Sequence, residues 1–266
     1  MNAHAGSADA PPWAVIFEPY GTLLDVETDE RDWYAYLNLA RFLEYRGVRL
    51  NADELRWLWF EKLSQGQQSV PIASGGGNGP HPEADARTIW REIIEQHRDP
   101  CYFSADSQNS SFLSEIVTLQ RALVRRTLRL MDGAKELLER LHGRVRLGVI
   151  ADGQPEYVVP ELQIAGIEPY FEAITVSGAH GYRKPDQRLF ANAVKALGAT
   201  PERTVMVGVD TARDIAGATA ARLRSVLVLS PYGTKDIALG TPDYDADSTA
   251  VLAPLLERMT GIGPHG

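Results

Sequence analysis

The chain has 266 residues, 44% hydrophobic and 23% charged, with a formal net charge of −8 at pH 7. That length holds one large domain, or a domain with a smaller one inserted. The acidity argues against nucleic acid or an anionic membrane as the principal partner, because both are bound through basic stripes.

Cys101 is the single cysteine, which excludes an intrachain disulfide and a metal–thiolate cluster. A reducing, cytoplasmic setting is the matching expectation. Residues 1–12 are small and polar, without a basic segment followed by an apolar core, and read as a disordered tail. No apolar run approaches the ~20 residues that a bilayer span requires.

The first strong element is the run Ala14-Val15-Ile16-Phe17, which ends in Glu18-Pro19-Tyr20-Gly21-Thr22. Short β-branched runs of the same character predict strands over 14–17, 145–150, 173–176, 204–207 and 226–229. Helical patterns at 132–141, 187–197 and 211–223 lie among them. Strand alternating with helix implies an α/β fold, a doubly wound parallel sheet with helices on both faces.

Residues 29–130 break the alternation. Segments 31–47, 53–68, 83–98 and 111–130 have apolar residues at helical spacing, and no strand is expected there. In the third, Ala86, Ile89, Trp90, Ile93 and Ile94 form one face, while Arg87, Arg91, Glu92 and Glu95 cover the other. The string from Ser74 to Pro80 reads as a flexible link. The expected organisation is a core of 13–28 and 131–258, a helical insert at 29–130 and a tail at 259–266.

In a doubly wound sheet, ligands bind beyond the carboxyl ends of the strands. Glu18 ends the first strand, and a carboxylate can attack carbon or phosphorus to form a covalent ester. Gly21-Thr22 supplies a turn whose amides can face an anion. Ala151-Asp152-Gly153 ends the second strand, where Asp152 can serve the site or cap the next helix. Gly181-Tyr182-Arg183-Lys184-Pro185-Asp186 places a cation after the third. Val207-Gly208-Val209-Asp210 leads from the fourth into a helix that carries Asp214.

These four strings, in this order, resemble the signatures of the haloacid dehalogenase superfamily of aspartate-nucleophile phosphatases, dehalogenases and phosphomutases. The resemblance covers roughly 13–257 and implies a Rossmann-like core with 29–130 as a helical cap over the site. Glu18 stands where the family has its aspartate. Thr22 matches the threonine near the nucleophile, Lys184 the family lysine and Asp214 the second aspartate of the last signature. Tyr20 replaces the phosphatases' acid–base aspartate, which looks like the dehalogenase branch, or it packs under the cap. Ala151 stands in place of a serine or threonine. Val209 stands in place of an aspartate that binds Mg²⁺, with Asp210 adjacent.

The resemblance implies a catalytic set of Glu18, Thr22, Lys184 and Asp214, with Tyr20, Asp152, Gly153 and Asp210 around the substrate. The expected activity is that of a Mg²⁺-independent, dehalogenase-like hydrolase acting on a small anionic molecule, with no metal or other cofactor. One alternative is a degenerate member that binds a small anion or a protein partner. The other is a Mg²⁺-dependent phosphatase using Asp210 and Asp214. Neither nucleic acid nor membrane is an expected partner, and a homodimer is left open.

Overall fold

The computed structural model describes residues 12–68, 79–99 and 109–263. Most of the link from Ser74 to Pro80 lies outside the described residues, as do Cys101 and nearly all of the expected N-terminal tail.

Strand β1 (Ala14–Phe17) is buried throughout, and a turn carries the chain into β2 (Leu24–Thr28). Helices α1 (Trp33–Glu44), α2 (Ala52–Gly66), α3 (Ala86–His97) and α4 (Ser110–Val124) follow. Side chains of Asp32, Asn51, Asp85 and Asn109 cap the four N-termini, with a full capping box between Asn51 and Glu54. Strand β3 (Arg125–Leu130) then pairs antiparallel with β2, Leu130 opposite Leu24. The fourth helix therefore stops six residues short of its expected end, at Val124 rather than Leu130. The alternating Arg125-Arg126-Thr127-Leu128-Arg129-Leu130 suits a half-exposed strand, and an ion pair from Arg129 to Asp25 joins it to β2.

The chain continues through α5 (Ala134–Leu141), β4 (Arg146–Ala151), α6 (Pro155–Ile164), β5 (Ala173–Val176) and α7 (Gln187–Ala196). It ends with β6 (Thr204–Gly208), α8 (Ala216–Ala220), β7 (Arg224–Val228), β8 (Tyr244–Ala246) and α9 (Leu252–Thr260). The main sheet is parallel, in the order β5-β4-β1-β6-β7-β8. The doubly wound α/β architecture is as expected, with β8 as an added edge strand. Met259 and Thr260 belong to α9 and are buried, so the expected tail at 259 begins too early.

Alternate residues of each strand serve different cores. Val15, Phe17, Val149 and Val207 pack with Leu138 of α5, Leu162 of α6 and Leu256 of α9. Ala14, Ile16, Ile150 and Met206 pack with Leu189 and Phe190 of α7. Helices α1–α4 hold a separate core around Tyr36, Leu55, Trp59, Trp90 and Ile93. Trp59 stacks on Trp90 at 5.2 Å between centroids, and the Trp90 indole N–H donates to Gln120 Oε1 at 3.0 Å. Each large apolar side chain so buried contributes about 1.5–3 kcal/mol.

The helical insert docks at the carboxyl edge of the sheet. Glu83 N–H donates to Gly181 O at 3.0 Å and Arg183 N–H to His81 O at 2.9 Å. The Gln154 side-chain amide donates to Ala84 O at 2.9 Å and accepts from Ala86 N–H at 3.2 Å. Residues 81–86 thus lie against the loops that carry Asp152 and Lys184.

Candidate active site

Glu18 continues β1, its N–H donating to Val207 O at 2.9 Å. Its Oε1 accepts from Tyr20 N–H at 3.0 Å, and its Oε2 accepts from the Lys184 ammonium. The same ammonium donates to Asp214 Oδ1 at 2.7 Å. Asp214 Oδ2 accepts from Val209 N–H at 2.9 Å and Asp210 N–H at 3.0 Å. Side-chain exposure is 2% for Lys184, 2% for Asp214 and 8% for Glu18. Burial pulls the Lys184 ammonium below the usual lysine range, opposed mainly by Asp214.

Local backbone makes this convergence fit. Gly208 ends β6, where an added Cβ would lie 2.5 Å from Asp214 Cβ, so only glycine lets the carboxylate lie on the strand. Gly21 has φ +78°, and a Cβ there would meet Tyr232 Cβ at 2.7 Å.

The remaining predicted residues divide. Asp152 Oδ1 accepts from Lys184 backbone N–H at 2.9 Å, while its Oδ2 is buried without a hydrogen-bond partner, 3.9 Å from Arg213. Burial pushes this carboxyl up to about 7. Asp152 does not cap α6, whose N-cap is Gln154. Gly153 N–H donates to Ser177 Oγ at 2.8 Å, and Ser177 Oγ donates in turn to Glu83 Oε2 at 2.7 Å. Asp210 caps its own helical turn through Ala212 N–H and Arg213 N–H, both at 2.9 Å. Its other oxygen takes the Arg213 guanidinium and Thr234 N–H. Thr22 is fully buried and its hydroxyl has no partner.

Tyr20 points toward the insert. Its hydroxyl donates to Glu161 Oε2 at 2.7 Å, and Arg121 of α4 grips Glu161 at 2.8 and 3.2 Å. Burial raises the Tyr20 phenol well above its ordinary range, with Glu161 adding to the effect. Beyond this cluster a cavity of about 220 Å³ lies between insert and core, walled by Trp59, Phe60, Gln120, Arg121, Gln154 and Tyr157.

The sequence reading does not single out Glu161, Arg121 or Lys235. Glu161 and Arg121 look like ordinary solvated helix charges until the insert is docked. Lys235 carried a usable signal, since the loop after β7 leaves the carboxyl edge of the sheet. Its ammonium donates to the carbonyls of Val209 and Tyr232. Among the described residues, no three of His, Cys, Asp or Glu converge on a point that a metal ion could occupy. Nor is any helix among them long and apolar enough to cross a membrane.

A six-stranded parallel sheet with a carboxylate–lysine–carboxylate cluster at its carboxyl edge defines a Rossmann-like core of hydrolase type. A family model for haloacid dehalogenase-like hydrolases matches residues 14–222, and the chain belongs to that family. It is 29% identical over 174 residues to phosphoglycolate phosphatase of Agrobacterium fabrum, covering 65% of this chain and 70% of the relative. It is 26% identical over 177 residues to N-acylneuraminate-9-phosphatase of Mus musculus, covering 66% and 69%. A 40% match to glyceraldehyde 3-phosphate phosphatase of Methanothermobacter thermautotrophicus is confined to 85 residues, 32% of this chain and 38% of that protein. The fold is similar to 2-haloacid dehalogenase from Pseudomonas syringae pv. Tomato DC3000, with TM-score 0.65, 20% identity, and coverage of 93% and 99%.

Proposed function

We propose that this chain is a hydrolase that acts on a small anionic substrate at a site centred on Glu18, and that it works without Mg²⁺. The observation that carries the reading is the Lys184 ammonium held between Glu18 and Asp214. A cation already stands between the carboxylates that would otherwise need one. Mg²⁺ also demands near-octahedral oxygen ligands at about 2.0–2.1 Å. Val209 offers no side-chain oxygen, and the oxygens of Asp214 and Asp210 are engaged by amides, Lys184 and Arg213. The donor set does not suit a hard dication.

In this reading a Glu18 oxygen attacks a substrate carbon, an ester bond forms, and the leaving group departs with its bonding pair. Water then cleaves the ester and restores Glu18. Tyr20 offers no carboxylic acid for protonating an alkoxide, which favours a leaving group such as halide that departs as an anion. Lys184 and the Tyr20 amide balance the charge, and the helical insert acts as a cap over the site. The extra methylene of glutamate shifts the attacking oxygen by ~1 Å, a displacement worth about 10²-fold in rate where the site is not built around it.

The test is calorimetric titration with Mg²⁺, together with hydrolysis of short 2-haloacids and phosphate esters with and without chelator. Haloacid turnover indifferent to chelator is expected. Micromolar Mg²⁺ binding, or activity abolished by chelator, would instead make the chain a phosphatase like its curated relatives. The alternative of a degenerate, anion-binding protein is favoured by one observation: both Glu18 oxygens are already hydrogen-bonded, which lowers their nucleophilicity. It expects anion binding without turnover in the same assay.

A further inference from the structure

An anionic substrate beside Glu18 faces an unfavourable balance of charge. Glu18 and Asp214 carry two negative charges against one on Lys184, while Asp210 and Arg213 neutralise each other within one turn. The chain brings a further cation to this edge. Lys235 lies on the loop between β7 and β8, and its side chain reaches back to the end of β6. Both of its hydrogen-bond acceptors, Val209 O and Tyr232 O, are neutral carbonyls, so where it rests it is not spent in a direct ion pair. Lys184, Arg213 and Arg121, in contrast, are ion-paired.

The placement is built rather than incidental. Thr234 N–H donates to Asp210 Oδ2 at 3.0 Å, and Thr211 donates to Thr234 O through its N–H at 2.8 Å and its hydroxyl at 3.1 Å. Gly233 has φ +70°, and an added Cβ would fall 2.5 Å from Val209 O. Tyr232 of the same loop lies against Gly21, beside the turn that follows Glu18. The loop is thus fastened over the ends of β1 and β6. Burial lowers the Lys235 ammonium below the usual lysine range, opposed by the charges of Asp210 and of Asp214, which also holds Lys184.

We propose that Lys235 is a second cationic binding residue of the Glu18 site, whose ammonium turns from the Val209 and Tyr232 carbonyls to the oxyanion of the substrate. Asp210 serves this arrangement by holding the loop at Thr234. The apolar Val209 and the charged Lys235 belong together: the strand end lacks a carboxylate to recruit a metal, and a tethered ammonium supplies the positive charge. The ligand class is a small oxyanion, carboxylate or phosphate. The inference rests on the Glu18-centred reading above and adds the residue that balances its charge.

The test is isothermal titration of the full chain, in buffer containing chelator, with inorganic phosphate and separately with propionate, a carboxylate that lacks the leaving halide and is not turned over. The two arms show which oxyanion the site takes. Wild type is compared with Lys235→Met, Lys235→Arg and Glu18→Gln. Losing one charge-assisted hydrogen bond should weaken binding about tenfold or more in Lys235→Met. Lys235→Arg should recover most of the affinity, and Glu18→Gln should tighten binding by removing a repelling charge. Affinity that shifts in Glu18→Gln but stays within about twofold in Lys235→Met overturns the role of Lys235 and leaves the Glu18 site standing. Affinity indifferent to both variants, or no binding until Mg²⁺ replaces the chelator in a parallel titration, overturns both readings.

Discussion

Lys184 Nζ lies 2.7 Å from Asp214 Oδ1, and neither side chain is more than 2% exposed. A charge buried this deeply persists only when paired, because its desolvation cost exceeds what a surface ion pair returns. The pair also joins the loop before α7 to the turn after β6, two segments that no local interaction in the sequence connects.

Lys184→Met should therefore be costly, since it leaves Glu18 and Asp214 buried without their shared cation. A loss of about 3–5 kcal/mol in unfolding free energy is expected, measured by urea denaturation. The double variant Lys184→Met/Asp214→Asn should be more stable than the sum of the single effects by about 0.5–3 kcal/mol. Strict additivity would show that the two groups are not energetically coupled.

Asp152 predicts a pH dependence. Its carboxyl is raised to about 7 by burial, against ~3.9 for an unfolded aspartate. Between those values the native state holds a proton that the unfolded state has lost, so stability falls as pH rises. The contribution is complete below about pH 4 and is lost as pH passes through the folded value. Asp152→Asn should flatten the unfolding free energy across this window by on the order of 4 kcal/mol. Equal slopes for wild type and variant would refute the assignment.

Glu161 ties the core to the insert through Arg121, and it is 1% exposed. Glu161→Gln keeps the shape but leaves the Arg121 guanidinium without its buried counter-charge. Destabilisation of about 3 kcal/mol is expected, with faster hydrogen exchange in α4, whose Arg121 loses its anchor. Unchanged exchange over Ser110–Val124 would mean that apolar packing alone holds the insert in place.

Gly208→Ala tests close approach. Its new Cβ would fall 2.5 Å from both Asp214 Cβ and Oδ2, so Asp214 must move off the Val209 and Asp210 amides. Overpacking of this kind costs about 1–3 kcal/mol, and it should loosen Lys184 as well. Thermal denaturation with a crystal structure of the variant would register both effects. An undisplaced Asp214 would contradict the account.

The sequence by itself determined the five main strands, helices α5 and α7 between them and the family, because each rests on local information. Ala14 to Phe17 is continuous and apolar, as a strand buried on both faces must be, and Ile89, Trp90, Ile93 and Ile94 recur at helical spacing. It also placed Glu18, Lys184 and Asp214 at strand ends, since a parallel sheet with helical crossovers brings all its carboxyl ends to one edge. The strand Arg125–Leu130 was hidden inside a helical pattern, because its pairing with Leu24–Thr28 is a contact between residues a hundred positions apart. Only the tertiary structure decided which carboxylates share a cation. Asp210 and Asp214 are four residues apart, yet one is spent on its own turn, Arg213 and Thr234, and the other on Lys184. The direction of a side chain at a strand end depends on what packs against it. Lys235 and Glu161 gained their partners in the same way, from loops and helices that only the folded chain brings within reach.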